Sequence, residues 1–164
     1  MDITLSCQGK NLWYFAYGSN MSAAKFIGSR GIQPLDVARV SLPGWILTME
    51  IPGVPYSEPA FSSIRPINGS IDRLLPEVMG VAYLISDLQY KKVIASEGGG
   101  VAYDDISVDA KPVGDEDAKR TGPRPQVRTL GTAMTRHPPA LPSKRYMVYN
   151  FQFLSYLPIV VDHN

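Results

Sequence analysis

Apolar residues along this chain gather in short runs rather than in long helical stripes. Leu12-Trp13-Tyr14-Phe15-Ala16-Tyr17 is a compact apolar run closed by Gly18-Ser19-Asn20, which reads as a buried strand ending in a turn. Met21, Ala24, Phe26 and Ile27 then fall near one face of a short helix over 21–29, with Ser19, Asn20 or Ser22 available as its cap. Strands are predicted at Val37 to Val40 and Trp45 to Met49, joined by the turn Leu42-Pro43-Gly44. Ile51 to Pro59 is proline-rich and reads as irregular, and Phe61 to Pro66 as a short strand. Val78 to Ile85 is nearly all apolar, the pattern of a central strand covered on both faces. Ser86 can cap a following helix that runs to about Ser96, with Asp87 in its first turn and Leu88, Val93 and Ile94 turned inward. Glu97-Gly98-Gly99-Gly100 comes next, then a strand over Ala102 to Ala110. Lys111 to Gln126 is polar with three prolines and reads as a long mobile loop, on which Asp115-Glu116-Asp117 form a solvated face. Val127 to Thr135 is the last predicted core strand, before a proline-rich corner from His137 to Ser143.

With 164 residues the chain is about one domain long. The pattern divides it into a loose leader over 1–11, one domain over 12–146 and a tail over 147–164. In the tail Met147, Tyr149, Phe151 and Phe153 alternate with other residues at nearer period two than helical spacing. Many short strands and few helices make the domain α+β. The formal net charge of +1 lacks the basic excess of a nucleic-acid binder. One cysteine, Cys7, excludes an internal disulfide framework, and His137 and His163 have no cysteines near them, so no metal site is expected. No run of 18 apolar residues predicts a membrane span, and no secretory leader is visible. The expectation is a cytoplasmic protein that binds neither membrane nor nucleic acid.

Two segments can carry chemistry. A strand that stops at Gly18 and turns into a helix aims several backbone N–H groups one way, which suits an anion or an oxyanion, though an ordinary capped turn reads the same. Glu97 stands at a helix end beside three glycines, which allow close approach of a ligand. Apolar neighbours such as Ile94 and Val101 could desolvate it, as general acid–base work needs, and the alternative is a solvated carboxylate before a flexible helix end. Ser19 lacks the G-x-S-x-G setting of a hydrolase nucleophile, and Cys7 lies in the leader. Tyr146 follows the rigid corner Leu141-Pro142-Ser143 and is either a pocket residue or a core aromatic.

These pieces together resemble the γ-glutamylcyclotransferase family, including its fungal members. The resemblance runs over about 12–146: Tyr14-Phe15-Ala16-Tyr17-Gly18-Ser19-Asn20-Met21, Gly80-Val81-Ala82-Tyr83, Ser96-Glu97-Gly98-Gly99-Gly100 with Tyr103, and Pro142-Ser143-Lys144-Arg145-Tyr146. It implies a small mixed β-barrel with flanking helices, and cleavage of γ-glutamyl compounds by internal cyclisation to 5-oxoproline without metal or cofactor. It implies Glu97 as the catalytic acid/base. Tyr14, Phe15, Ala16, Tyr17, Gly18 and Ser19 would line the γ-glutamyl pocket, Asn20 would support the turn, and Tyr146 would contact substrate. The tail departs from the family, which continues into a further helix, so its apolar residues are expected to be poorly covered; a homodimer is one way to cover them.

Three functions stay open on these residues. The chain is an active γ-glutamylcyclotransferase, a catalytically inactive binding or scaffold member of the same family, or a cyclotransferase for a γ-glutamylamine or glutathione-derived conjugate in secondary metabolism. In the last case the segments Ile51 to Ser63 and Lys111 to Gln126 are the expected pocket walls.

Overall fold

The computed structural model describes residues 10–54, 58–97, 103–132 and 143–144. Strand β1 covers Asn11–Ala16, β2 Asp36–Leu42, β3 Trp45–Val54, β4 Glu58–Pro66, β5 Val78–Ser86, β6 Tyr103–Asp109, β7 Lys111–Pro112 and β8 Gln126–Thr132. Helix α1 is Asp87–Ser96 and α2 is Asp115–Thr121. Between β1 and β2 the expected single helix is split into a 3-10 turn at Ser19–Met21 and a wider π-type helical stretch at Ala24–Ser29. The leader over 1–9, Gly98 to Ala102, the proline corner up to Pro142 and the tail over 147–164 lie outside the described residues.

Six strands form one mixed sheet in the order β6-β8-β1-β5-β2-β7, and β3 and β4 form a separate antiparallel ribbon. Only β1 and β8 run parallel; the other neighbours in the six-stranded sheet are antiparallel. The expected barrel is therefore corrected: among the described residues no sheet closes. The two edge strands, β6 and β7, are separated in sequence by Ala110 alone. Among the described residues β6 pairs only with β8 and β7 only with β2, so no ladder of hydrogen bonds joins the two edges. The ribbon does not supply the missing strand either, since β3 and β4 pair only with one another, with a register shift between Thr48 and Ile51. The proline-rich segment expected to be irregular contributes to this ribbon, because a two-stranded edge tolerates proline and a bulge.

Both faces of the central strands are covered, which explains why β1 and β5 read as continuous apolar runs. Tyr14 and Ala16 of β1 face one core with Phe26, Tyr83, Tyr90 and Val93, under the 24–29 stretch and α1. Phe15 and Tyr17 face the other with Val40, Leu42, Ile64 and Val127, on the side of the ribbon. Gly80 lets β1 and β5 pack this closely: a Cβ there would lie 2.2 Å from the Ala16 carbonyl oxygen and 2.7 Å from the Phe15 ring.

The segment read as a mobile loop is instead ordered around α2. Asp115, Glu116 and Asp117 occupy its first turn and Lys119 and Arg120 its last, which matches the helix dipole at both ends. Asp117 is buried rather than solvated. It accepts from the Arg39 backbone N–H at 2.8 Å and from the Arg39 guanidinium at 3.0 and 3.2 Å, fastening α2 to β2.

Candidate active site

The turn after β1 is held from three sides. The Thr129 hydroxyl donates to the Phe15 carbonyl at 2.8 Å, and the Tyr17 hydroxyl donates to the Leu130 carbonyl at 2.5 Å, so the strand end is tied to β8. The chain then reverses at Gly18, whose carbonyl accepts from the Met21 N–H at 2.9 Å. The Tyr83 hydroxyl, reaching across from β5, donates to the Met21 carbonyl at 2.9 Å. Burial pushes the Tyr83 phenol up to about 12. Outside the turn, the Lys25 ammonium donates to the Ser19 hydroxyl at 2.7 Å. Its pKa is lowered, first by desolvation and then by the nearby Arg30 charge, against a smaller pull from Glu97.

The opposite element is α1. Ser86 and Gln89 close a reciprocal box at its start: Ser86 Oγ accepts from the Gln89 N–H at 3.3 Å and Gln89 Oε1 accepts from the Ser86 N–H at 3.0 Å. With Tyr90 and Val93 buried against the sheet, both ends of the helix are fixed in place. Glu97 follows directly as the C-cap residue, its N–H shared between the Val93 and Ile94 carbonyls at 3.2 and 3.1 Å.

Asn20 bridges the two elements. Its side-chain amide donates to the Tyr14 hydroxyl oxygen at 3.0 Å and to Glu97 Oε1 at 3.1 Å. The Arg30 guanidinium also donates to Glu97 Oε1, making an ion pair. The carboxylate was expected to sit against apolar Ile94 and Val101. What faces it is a cation and an amide; Val101 lies outside the described residues. Tyr14 is buried among Phe26, Tyr83 and Tyr90, its ring stacked on Phe26 at 5.8 Å and tilted to Tyr90 at 5.7 Å. Burial raises the Tyr14 phenol well above its ordinary range, with the Asn20 hydrogen bond partly opposing and the Glu97 charge adding to the rise. The phenol is thus held neutral. Its oxygen accepts from Asn20, which leaves its proton to be donated elsewhere. The side-chain Oδ1 of Asn20 is buried and, among the described residues, has no partner.

These groups surround one cleft. Tyr14, Tyr17, Gly18, Ser19 and Asn20 form one wall, Glu97 stands among them from α1, and Ser62, Tyr103 and Leu130 complete the lining. The Tyr103 hydroxyl donates to the Ser62 carbonyl at 3.1 Å, joining β6 to the ribbon at the cleft. Phe15 and Ala16 do not line it; their side chains are buried in the two cores on opposite faces of β1. Tyr146 lies outside the described residues. Of the two expected walls, the ribbon supplies Ser62, whereas no described residue of 111–126 lines the cleft. Arg30 was missed by sequence reasoning. Its one local signal is Arg30-Gly31: Gly31 takes φ +63, its N–H bonds to the Ile27 carbonyl and Ile32 N–H to the Phe26 carbonyl, a glycine-terminated helix end.

Among the described residues no three histidine, cysteine or acidic side chains gather closely enough to hold a metal. What the cleft offers is a carboxylate facing a turn of backbone and hydroxyl donors. That combination suits a small polar ligand and holds the groups that proton transfer uses.

No family model matches the chain. Against curated proteins it is 40% identical over 144 residues to the gamma-glutamyl cyclotransferase aclK of Aspergillus oryzae, covering 83% of this chain and 52% of that one. It is 37% identical over 147 residues to gliK of Aspergillus fumigatus, covering 83% and 54%. It is 33% identical over 156 residues to verK of Clonostachys rogersoniana, covering 88% and 86%. The chain belongs to the γ-glutamylcyclotransferase family. It spans about half the length of the two Aspergillus relatives. Among solved structures, a gamma-glutamyl cyclotransferase superposes with a TM-score of 0.68 at 20% identity over 92% of this chain and 83% of that one. The yeast cyclotransferase specific to glutathione superposes with 0.67 at 12% identity over 94% and 91%. Both share the fold.

Proposed function

We propose that this chain cleaves γ-glutamyl amides by intramolecular cyclisation, releasing 5-oxoproline and a free amine. One observation carries the reading: the Glu97 carboxylate lies in the same cleft as the Gly18–Ser19 turn and the Tyr14 hydroxyl.

In a γ-glutamyl group the α-nitrogen, three carbons and the amide carbonyl carbon close a five-membered ring. The nucleophile belongs to the substrate, so the protein needs none of its own. Holding the arm curled supplies the entropic part of the barrier, about 7–11 kcal/mol in the best-oriented cases. Glu97 takes a proton from the substrate ammonium, and the freed amine attacks the amide carbon. The tetrahedral oxyanion is met by donors of the turn and by the Tyr14 hydroxyl. As the ring nitrogen sheds its second proton, collapse breaks the amide C–N bond and Glu97 passes a proton to the departing nitrogen; both protons lost by the α-nitrogen end on the released amine, which leaves as an ammonium. One carboxylate acts as base and then as acid.

The leaving amine extends toward Ser62 and Tyr103. The relatives' involvement with γ-glutamyl chemistry, and the glutathione specificity of the yeast enzyme, favour glutathione or a glutathione-derived conjugate as donor. The test is mass-spectrometric detection of 5-oxoproline after incubation with free glutathione, a glutathione S-conjugate and γ-glutamyl-lysine. Release from at least one supports the reading, and the ranking among them identifies the class of leaving amine. Saturable binding with no release from any would instead support the inactive scaffold reading.

A further inference from the structure

We propose that Arg30 is a positioning residue that pins Glu97 by one oxygen, Oε1, and so presents the other, Oε2, to the substrate. The inference rests on the proposed reaction, in which Glu97 is the base.

The placement of Glu97 creates the need. It caps the C-terminal end of α1, where exposed carbonyls carry partial negative charge, and α1 has no basic residue in its last turn. The three following residues are glycines and offer no side chain. A countercharge therefore has to come from another element. Arg30 supplies it from the end of the 24–29 helical stretch, a position where a cation is favoured. Its backbone is fixed there by the N–H bond to the Lys25 carbonyl at 3.2 Å and by the Gly31 turn that follows.

The contacts are one-sided. Both partners of the Glu97 carboxylate, the Arg30 guanidinium and the Asn20 amide, act on Oε1. Among the described residues nothing donates to Oε2. Glu97 lines the cleft and Arg30 does not, so Arg30 acts on the reaction only through the carboxylate. Among the described residues the arrangement also leaves Arg30 Nε buried without an acceptor. A buried unmet donor is unfavourable. At Asp72 and Asp105, by contrast, the arginine fork places two nitrogens on two oxygens.

The test compares Arg30→Gln with Arg30→Lys by two readouts. The first is 5-oxoproline release from whichever γ-glutamyl amine the wild type turns over. Arg30→Gln should lower kcat about tenfold to a hundredfold with KM little changed, and Arg30→Lys should recover most of the loss. A raised KM at unchanged kcat would overturn the inference, because it would make Arg30 a substrate contact. The second readout is independent of turnover: side-chain order of Glu97 from 13C relaxation, its signal assigned by its loss in Glu97→Gln, with exposed Glu77 as control. Order should fall in Arg30→Gln and be kept in Arg30→Lys. Unchanged Glu97 order in Arg30→Gln overturns the inference even in an active enzyme. If Arg30→Gln does not fold, the wild type decides, since a Glu97 side chain as mobile as Glu77 is incompatible with pinning. A wild type that releases no 5-oxoproline from any donor defeats the proposed reaction, while the order measurement still judges the pin.

Discussion

Two arginine–carboxylate pairs stand on either side of the contact between the Tyr14 and Tyr90 rings, and they are built differently. At Asp105 both oxygens are occupied: the Arg128 guanidinium reaches Oδ1 through Nε at 3.1 Å and Oδ2 through Nη2, and the Tyr90 hydroxyl donates to Oδ1 at 2.6 Å. The Arg128 guanidinium also lies 4.8 Å over the Tyr90 ring. At Glu97 the cation and the amide share one oxygen, and the neighbouring tyrosine hydroxyl accepts from Asn20 instead of donating to the carboxylate. The same residue types thus give a closed cluster at Asp105 and an unsaturated one in the cleft. The Arg65–Asp72 pair, with each terminal guanidinium nitrogen on its own oxygen, follows the closed pattern. A spare oxygen alone does not mark a site, since Arg120 and the Val37 N–H also meet Asp36 on Oδ1 alone; what is particular to the cleft is a spare oxygen beside a spare phenolic proton.

The largest expected effect comes from removing the spare oxygen. Glu97→Gln should reduce 5-oxoproline release by at least about a hundredfold while its circular dichroism at 25 °C stays close to wild type. A Glu97→Gln protein with full rate breaks the comparison and the mechanism with it. Next is the phenolic pair. Tyr14→Phe should slow release roughly tenfold to a hundredfold through loss of a donor in the cleft. Tyr90→Phe should leave the rate unchanged and cost about 1 kcal/mol of stability in a urea titration, the worth of its bond to Asp105. Equal rates for the two variants would show that Tyr14 is a packing residue like its neighbour.

Alkaline stability sharpens the same contrast. The Tyr14 and Tyr90 phenols are both raised, Tyr14 by burial eased by Asn20, and Tyr90 by burial followed by the hydrogen bond to Asp105. Tyr83 rises from 10.0 to about 12 by burial. Above pH 10 the unfolded chain releases phenolic protons that the folded chain retains, so stability falls as pH rises. The contribution is fully present below the unfolded value and is lost through the folded one. Unfolding followed by phenolate absorbance should begin between pH 10 and 12 for the Tyr83 share. Tyr14→Phe and Tyr90→Phe should each flatten the decline, and a melting temperature constant across that range would contradict the assignment. The smallest effect is expected at Arg128. Its pair with Asp105 is partly exposed, so Arg128→Met should cost about 1 kcal/mol or less in the same urea titration and nothing in rate.

Much of the site was legible because its signals are local. The run ending in Tyr17-Gly18-Ser19-Asn20 announces a buried strand and a turn, and Ser86-Asp87 announces the helix that delivers Glu97; the structure places the strand, the turn and the Ser86 cap at those residues. Arg30 was not legible, since its partner is 67 residues away and nothing near it marks a countercharge. Phe15 and Ala16 were drawn into the site by adjacency. Strand alternation instead turns Phe15 to the face opposite Tyr14, and Ala16 is spent on the core. Helix α2 was missed because apolar periodicity was the guide, and this helix is secured by charge at its two ends and by Asp117 on Arg39.

By itself the sequence determined the local conformations: where apolar runs demand two-sided burial, where glycine permits reversal, and where a capping box starts a helix. These depend on residues a few positions apart. Tertiary structure decided what the chain could not announce: that the sheet stays open, that the ribbon pairs with itself, and that Arg30 and Asn20 meet Glu97 on a single oxygen. Those outcomes depend on distance across the fold, and an ion pair or a strand pairing is formed by whichever groups packing brings within about 3–5 Å, not by those adjacent in sequence.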